Sequence, residues 1–167
     1  MDKVKKGYIK EFLPYLIILI VVFCIKIFII TPIRVNGPSM NDTLENKDIM
    51  ILDEISYRFS SIQRFDIVVI KYKDEYLIKR VIGLPGEKIR YEDNKLYVNG
   101  KYVEEEFNHK STPSFSEITV PKNQYFVMGD NRTNSLDSRM IGPIDKKYIK
   151  GKTSFVIFPF SRFGNKE

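Results

Sequence analysis

The chain is poor in the side chains that most often carry chemistry. Its 167 residues include one Cys, one His and no Trp. A lone cysteine excludes a disulfide framework within the chain. One Cys and one His together exclude a His- or Cys-rich metal site. His109 is the only imidazole available to a Ser-His-Asp or Cys-His arrangement, so a hydrolase built on this sequence is expected to use another base. There is no internal repeat, no low-complexity tract and no basic stripe of the kind that tracks nucleic acid. The rest is ordinary: 43% of residues are apolar and 29% charged, too apolar for a disordered chain and of a length that suits one compact domain.

Charge is present but unevenly placed. The 27 Lys and Arg against 21 Asp and Glu give a net +6. Residues 1–11 hold Lys3, Lys5, Lys6 and Lys10 against Asp2 and Glu11, and Phe12 to Ile30 carries Lys26 alone. These nineteen residues would reach about 28 Å as a helix, close to the thickness of a bilayer's hydrocarbon core. No polar face interrupts them, Pro14 falls in the first turn where a missing N–H costs little, and Lys26 is near enough to the far end to snorkel. The basic flank precedes the span, which places the amino terminus in the cytoplasm and everything after it outside. A cleaved secretory signal peptide is the alternative, but Thr31-Pro32-Ile33-Arg34 offers no small-x-small site. Cys24 lies inside the span, a position for packing rather than nucleophilic attack.

After residue 31 the pattern changes to short β-type runs. Asp66 to Tyr72 and Tyr76 to Ile82 read as a hairpin around Lys73-Asp74-Glu75. Pro85-Gly86 suits the centre of a type II turn. Lys88 to Glu92 and Lys95 to Val98 read as a second hairpin across Asp93-Asn94, and Asn99-Gly100 is the best local hairpin signal in the chain. Strands are expected at 118–120, 125–128 and 153–158, with residues 104–117 as a surface loop or small excursion. No long amphipathic helix follows residue 31. The expected fold is mostly β: one amino-terminal transmembrane helix (12–30), then an antiparallel β-sheet or barrel-like domain (31–167). The aromatic end, Phe155 to Gly164, reads as a last core strand with a tail, or as an apolar edge dipping into a membrane surface.

Three places stand out chemically. Ser39, in Asn36-Gly37-Pro38-Ser39-Met40, sits shortly after the apolar span. Gly and Pro before a Ser often mean only a turn, and Asn41 breaks the Gly-x-Ser-x-Gly pattern. Lys79 shares a strand face with Leu77 and Val81, and Arg80 shares the other with Ile78 and Ile82. Each is either an edge-strand charge that snorkels or, for Lys79, a desolvated general base. At an ordinary pKa only about 1 in 2,500 lysines is neutral at pH 7; at a pKa of about 8 the figure is about 1 in 10, which requires roughly 3 kcal/mol of environmental bias. The third place is Gly129-Asp130-Asn131-Arg132 followed by Ser135-Leu136-Asp137-Ser138-Arg139. Paired charges at this spacing can fix a loop's geometry, and a plain polar turn is the alternative.

Taken in order, these segments resemble the bacterial type I signal peptidases of the short, single-anchor Gram-positive type. The resemblance spans nearly the whole chain: the anchor, Gly-Pro-Ser39-Met40, Phe65-Asp66-Ile-Val-Val, Tyr76 to Gly86, Asn99-Gly100, Gly129 to Arg132 and Ser135 to Arg139. It implies a membrane-anchored serine endopeptidase that removes signal peptides from exported preproteins after a small-x-small (Ala-x-Ala) site, on the outer face of the cytoplasmic membrane. It casts Ser39 as nucleophile, Lys79 as general base and Ser135 as the serine that orients the lysine. Gly37 and Met40 match the oxyanion and substrate loop, with the Ser39 N–H as one oxyanion donor. Arg80, Asp130, Arg132, Asp137 and Arg139 match a structural charge framework. It implies no cofactor, no metal and no nucleic acid; the partners it implies are preproteins, the phospholipid bilayer and a nearby secretion translocon. A catalytically silent secretion subunit and a peptidase dedicated to one substrate are the alternatives. Two positions depart from the family pattern. Asp42 stands where Pro is usual; it either caps or turns the loop or places a carboxylate near Lys79, raising its pKa and weakening the base. Phe65 stands where Gly is usual.

Overall fold

The computed structural model describes residues 11–22, 31–107 and 109–166. The chain divides into two compact units, Met1–Thr31 and Pro32–Glu167. In the first, residues 11–22 are helical (α1). Among the described residues no helix is long and apolar enough to cross a membrane. The expected span extends over residues 23–30, Cys24 and Lys26 included, which lie outside the described residues.

The second unit is mostly β and antiparallel, as expected. Its strands are β1 (Thr31–Arg34), β2 (Ile49–Leu52), β3 (Ile67–Tyr72), β4 (Glu75–Gly83), β5 (Lys88–Glu92), β6 (Lys95–Val98), β7 (Lys101–Val103), β8 (Phe115–Thr119), β9 (Gln124–Met128), β10 (Ile144–Asp145), β11 (Ile149–Lys152), β12 (Phe155–Phe158) and β13 (Gly164–Asn165). Two single-turn helices, α2 (Ser56–Phe59) and α3 (Ser138–Ile141), complete it with two 3₁₀ turns. Among the described residues these strands form three sheets, ordered β1-β2-β12-β13, β10-β9-β4-β3-β11 and β7-β6-β5-β8.

Local turn chemistry sets the hairpins. Asp93 and Asn94 both take positive φ between β5 and β6, and Asn99 and Gly100 do so between β6 and β7, the backbone that a two-residue hairpin turn requires. At the end of β4, Pro85 and Gly86 (φ +83°) turn the chain, with the Glu87 N–H donating to the Leu84 carbonyl at 3.1 Å.

The five-stranded sheet is buried on both faces, which explains why its strands read as continuous apolar runs rather than alternating ones. Val81, Tyr125 and Val127 pack with Val68 and Ile70 on one side. Ile82, Phe126 and Met128 pack with Ile89, Tyr91 and Leu96 of the small sheet on the other. A third cluster joins Val35, Met40, Leu44 and Met50 to Ile67 and Val156. Residues 104–117 are not simply a surface loop. The Glu105 side chain and Thr112 are buried, where both serve as acceptors for Arg132, and β8 begins at Phe115.

Candidate active site

The register of the central sheet creates the site. β3 pairs with β4 (Val68 opposite Lys79), and β4 pairs with β9 (Arg80 opposite Met128). β9 therefore ends beside Lys79, and the chain leaves it through Gly129 and Asp130. Neighbouring strand residues point to opposite faces, and the two cations of β4 meet different partners.

Lys79 is 2% exposed. Its Nζ donates to Ser39 Oγ at 2.7 Å and to the Ile78 carbonyl at 2.9 Å. Burial lowers its pKa to about 8, with Asp137 and Asp130 opposing the shift. A lysine so placed is neutral in a useful fraction of molecules at neutral pH and lies within reach of a hydroxyl proton.

Arg80 is buried and clamped. Its Nε and Nη2 donate to the two carboxylate oxygens of Asp130 at 3.0 and 2.8 Å, and Nη1 donates to the Phe65 carbonyl at 3.0 Å. The Phe107 ring stacks on the guanidinium at 4.0 Å. Thr43 adds a third donor to Asp130 at 2.6 Å. Arg132 is buried too, held by Tyr91 Oη at 2.9 Å, Thr112 Oγ1 at 2.6 Å and Glu105 Oε1 at 2.5 Å. Asp137 caps α3 and accepts from the Gly129 N–H at 3.1 Å and from Arg139 Nε and Nη2 at 2.9 and 2.7 Å. Burial alone would push its carboxyl up, but Arg139 and these hydrogen bonds outweigh that and hold it below the usual range. The five charged residues singled out in the sequence thus form ion pairs and hydrogen bonds around Ser39 and Lys79, with Tyr91, Glu105, Phe107 and Thr112 as partners that the sequence did not reveal.

Ser39 lies in a loop without regular structure. Gly37 opens it at φ +91°, its N–H donating to Asn46 Oδ1 at 3.1 Å. Met40 is buried in the third core cluster, anchoring the loop from below. Asn131 holds it from above: its main-chain N–H donates to the Ser39 carbonyl at 3.0 Å, and its side-chain Nδ2 donates to the Pro38 carbonyl at 3.1 Å. Gly129 sits in the remaining gap, where a Cβ would lie 2.3 Å from both the Ser39 carbonyl and Ser135 Oγ. The only sequence signal for Asn131 and Gly129 was their place in the polar motif.

Three further residues singled out in the sequence, Ser135, Asp42 and His109, have these surroundings. The buried Ser135 hydroxyl lies next to Ser39 across Gly129. It sits near Asp137, whose charged form it favours. Asp42 points away: its carboxylate is 61% exposed and lies 3.8 Å from Lys110 Nζ, and the carboxylates acting on Lys79 are Asp137 and Asp130. His109 is engaged by Glu105 at 3.4 Å and the Lys110 carbonyl at 2.9 Å.

Residues 8–158 match the profile of the family described as signal peptidase, peptidase S26. Signal peptidase I V of Bacillus subtilis (strain 168) is 43% identical over 159 residues, covering 86% of this chain and 95% of that protein. Signal peptidase IB of Staphylococcus aureus (strain N315) is 34% identical over 179 residues, covering 95% of this chain and 94% of that protein. The crystal structure of a signal peptidase I from Enterococcus faecalis V583 superposes with a TM-score of 0.51 at 33% identity, over 56% of this chain and 97% of that one.

Proposed function

From the premise that the chain belongs to the signal peptidase family, peptidase S26, we propose that it removes signal peptides from exported preproteins with a Ser39–Lys79 dyad. The activity itself, signal-peptide removal by a serine peptidase, is that of the family. The observation that supports the dyad is the 2.7 Å contact between a buried, pKa-lowered Lys79 and the Ser39 hydroxyl.

In this mechanism neutral Lys79 takes the proton of Ser39 as Oγ attacks the carbonyl of the scissile bond. The resulting ammonium is held by the Ile78 carbonyl and by the fields of Asp137 and Asp130. It then gives its proton to the leaving amine, and water enters by the same route to release the acyl group. The Ser39 N–H is the proposed oxyanion donor. Gly37 brings no hydroxyl to this task, and Gly37 and Met40 instead shape the loop. Ser135, one residue-width from Ser39 across Gly129, is proposed to take up the Lys79 ammonium as it forms. The charged framework of Arg80, Asp130, Arg132, Asp137 and Arg139 is proposed to keep these groups in place without touching substrate.

The proposed cleavage site is small-x-small. The proposed setting is the cytoplasmic membrane near the translocon: residues 12–30 as the anchor, the amino terminus inside and the peptidase unit on the outer face. The apolar, singly charged run supports an anchor. The outward-facing rings of Phe158, Phe160 and Phe163 around the last 3₁₀ turn support a seat at the lipid interface.

The test is cleavage of an Ala-x-Ala preprotein by the detergent-solubilised full chain, with Ser39→Ala and Lys79→Ala beside the wild type. Cleavage at one bond by the wild type and none by either variant is expected. A folded wild type that cuts no preprotein would move the silent-subunit alternative to the front.

A further inference from the structure

The segment from Val35 to Asp48, which carries Ser39, contains no strand and no helix. Its ends are tied together by the Val35 N–H donating to the Asp48 carbonyl at 2.8 Å and the Lys47 N–H donating to the Val35 carbonyl at 2.9 Å. Besides these main-chain ties, side chains brace the loop. One brace is Asn131 with the Thr43–Asp130 bond, described above. A second comes from the far end of the chain.

Arg162 closes the 3₁₀ turn Phe160–Arg162 that follows β12. While Phe160, on the same turn, is 80% exposed, the Arg162 guanidinium turns inward and spends its donors on the Ser39 loop. Nε donates to both oxygens of Asp48 at 3.2 and 3.1 Å, Nη1 to Glu45 Oε1 at 2.7 Å, and Nη2 to the Thr43 carbonyl at 3.0 Å. Asp48 is 1% exposed and also accepts from the Glu45 N–H at 2.9 Å. From Thr43 the bonding continues through its hydroxyl to Asp130, and the N–H of Asn131, which follows Asp130, donates to the Ser39 carbonyl.

We propose that Arg162 is a positioning residue for the nucleophile: its grip on the Thr43 carbonyl, Glu45 and Asp48 sets where the Ser39 loop holds Oγ against Lys79. The assignment rests on Ser39 being the nucleophile. A planar guanidinium suits the task because it reaches three acceptors in one plane, which an ammonium cannot. The rival explanation is that Arg162 only neutralises the buried Asp48 charge.

The two roles separate in a paired substitution. Arg162→Gln alone leaves Asp48 charged and unpaired, and it is expected to lose stability and activity together. Arg162→Gln with Asp48→Asn removes both charges. The double variant is expected to regain the wild-type thermal midpoint yet to keep kcat on an Ala-x-Ala preprotein at least tenfold down. KM is expected to change less than kcat, and the apparent pKa of the pH profile to stay close to that of wild type, because Lys79 keeps its burial and its neighbours Asp137 and Asp130 while Ser39 Oγ shifts. Asp48→Asn alone keeps the guanidinium on Thr43 and Glu45 and is expected to keep most of kcat. Arg162→Lys provides a second route if the double variant does not fold: it keeps the charge, and a tenfold loss of kcat is expected there too. Recovery of wild-type kcat in the double variant or in Arg162→Lys would overturn the proposal, as would a loss confined to KM. Residual cleavage by Ser39→Ala under the same conditions would instead overturn the nucleophile assignment on which it rests.

Discussion

Replacing Lys79 by Met should remove activity and at the same time stabilise the fold near neutral pH. The unfolded chain holds the lysine proton with an ordinary pKa of 10.5, and the folded protein holds it with a pKa of about 8. At pH 7 both forms are mostly protonated, and burial of the charge disfavours the folded protein by about 3 kcal/mol. That cost is fully present below pH 8. It shrinks as pH rises from 8 and is gone above about 10.5, where the unfolded lysine is also neutral. Methionine fills a similar volume without charge, so the substitution relieves the cost. It also deletes the hydrogen bonds to Ser39 Oγ and the Ile78 carbonyl, each a net loss of about 1 kcal/mol. The expected balance is a gain of about 1 kcal/mol at pH 7 that turns into a loss of about 2 kcal/mol near pH 11. Urea unfolding of wild type and Lys79→Met in the same detergent at both pH values reads this difference, and other groups titrating in that range cancel in the comparison. A stability difference that does not change between pH 7 and pH 11 would refute the claim that burial lowers the pKa of Lys79.

Gly129→Ala should lower kcat by at least about 100-fold, since the new Cβ would sit 2.3 Å from the Ser39 carbonyl and from Ser135 Oγ, and displacing a reacting group by about 1 Å costs that much; single-turnover cleavage measures it, and wild-type kcat would show that the loop gives way. At position 65 the usual order of Ala over Gly should reverse. Phe65 holds φ +72°, a conformation in which glycine has no Cβ penalty, so Phe65→Gly should be more stable than Phe65→Ala by about 1 kcal/mol in urea unfolding; both should fall below wild type, which keeps the edge-on Phe65–Phe107 contact with ring centroids 5.2 Å apart. Asp42→Asn should leave the apparent pKa of the pH–rate profile in place, because the carboxylates facing Lys79 are Asp137 and Asp130; a downward move would mean that Asp42 reaches the base after all.

The parts of the fold legible in the sequence were those fixed by local chemistry. Asp93-Asn94 and Asn99-Gly100 dictate their turns, and the two strands around the first turn fell where expected, whereas β7 beyond the second was not read as a strand. β1, β2, β10, β11 and β13 escaped because each spans only two to four residues, and β2 and β11 moreover pair with strands far along the chain, β12 and β3. The site divided along the same line. Lys79 was conspicuous because a cation flanked by apolar residues on a buried strand demands a reason. Thr43, Glu105, Thr112 and Arg162 were not, because polar residues in loops and tails ordinarily face water, and only the folded chain brings them against Asp130, Arg132 and the Ser39 loop. Of the two readings of Asp42, the folded chain weighs against a carboxylate beside Lys79: three residues from Ser39 along the chain, its side chain turns outward toward Lys110.

The dependence of kcat/KM on pH, measured on an Ala-x-Ala preprotein with the solubilised full chain, bears most directly on the central claim that a buried neutral lysine is the base. Desolvation of Lys79 predicts a rate that climbs tenfold per pH unit below an apparent pKa of about 8 and levels off above it. A profile flat from pH 6 to 10, or one still climbing at pH 10, would contradict it.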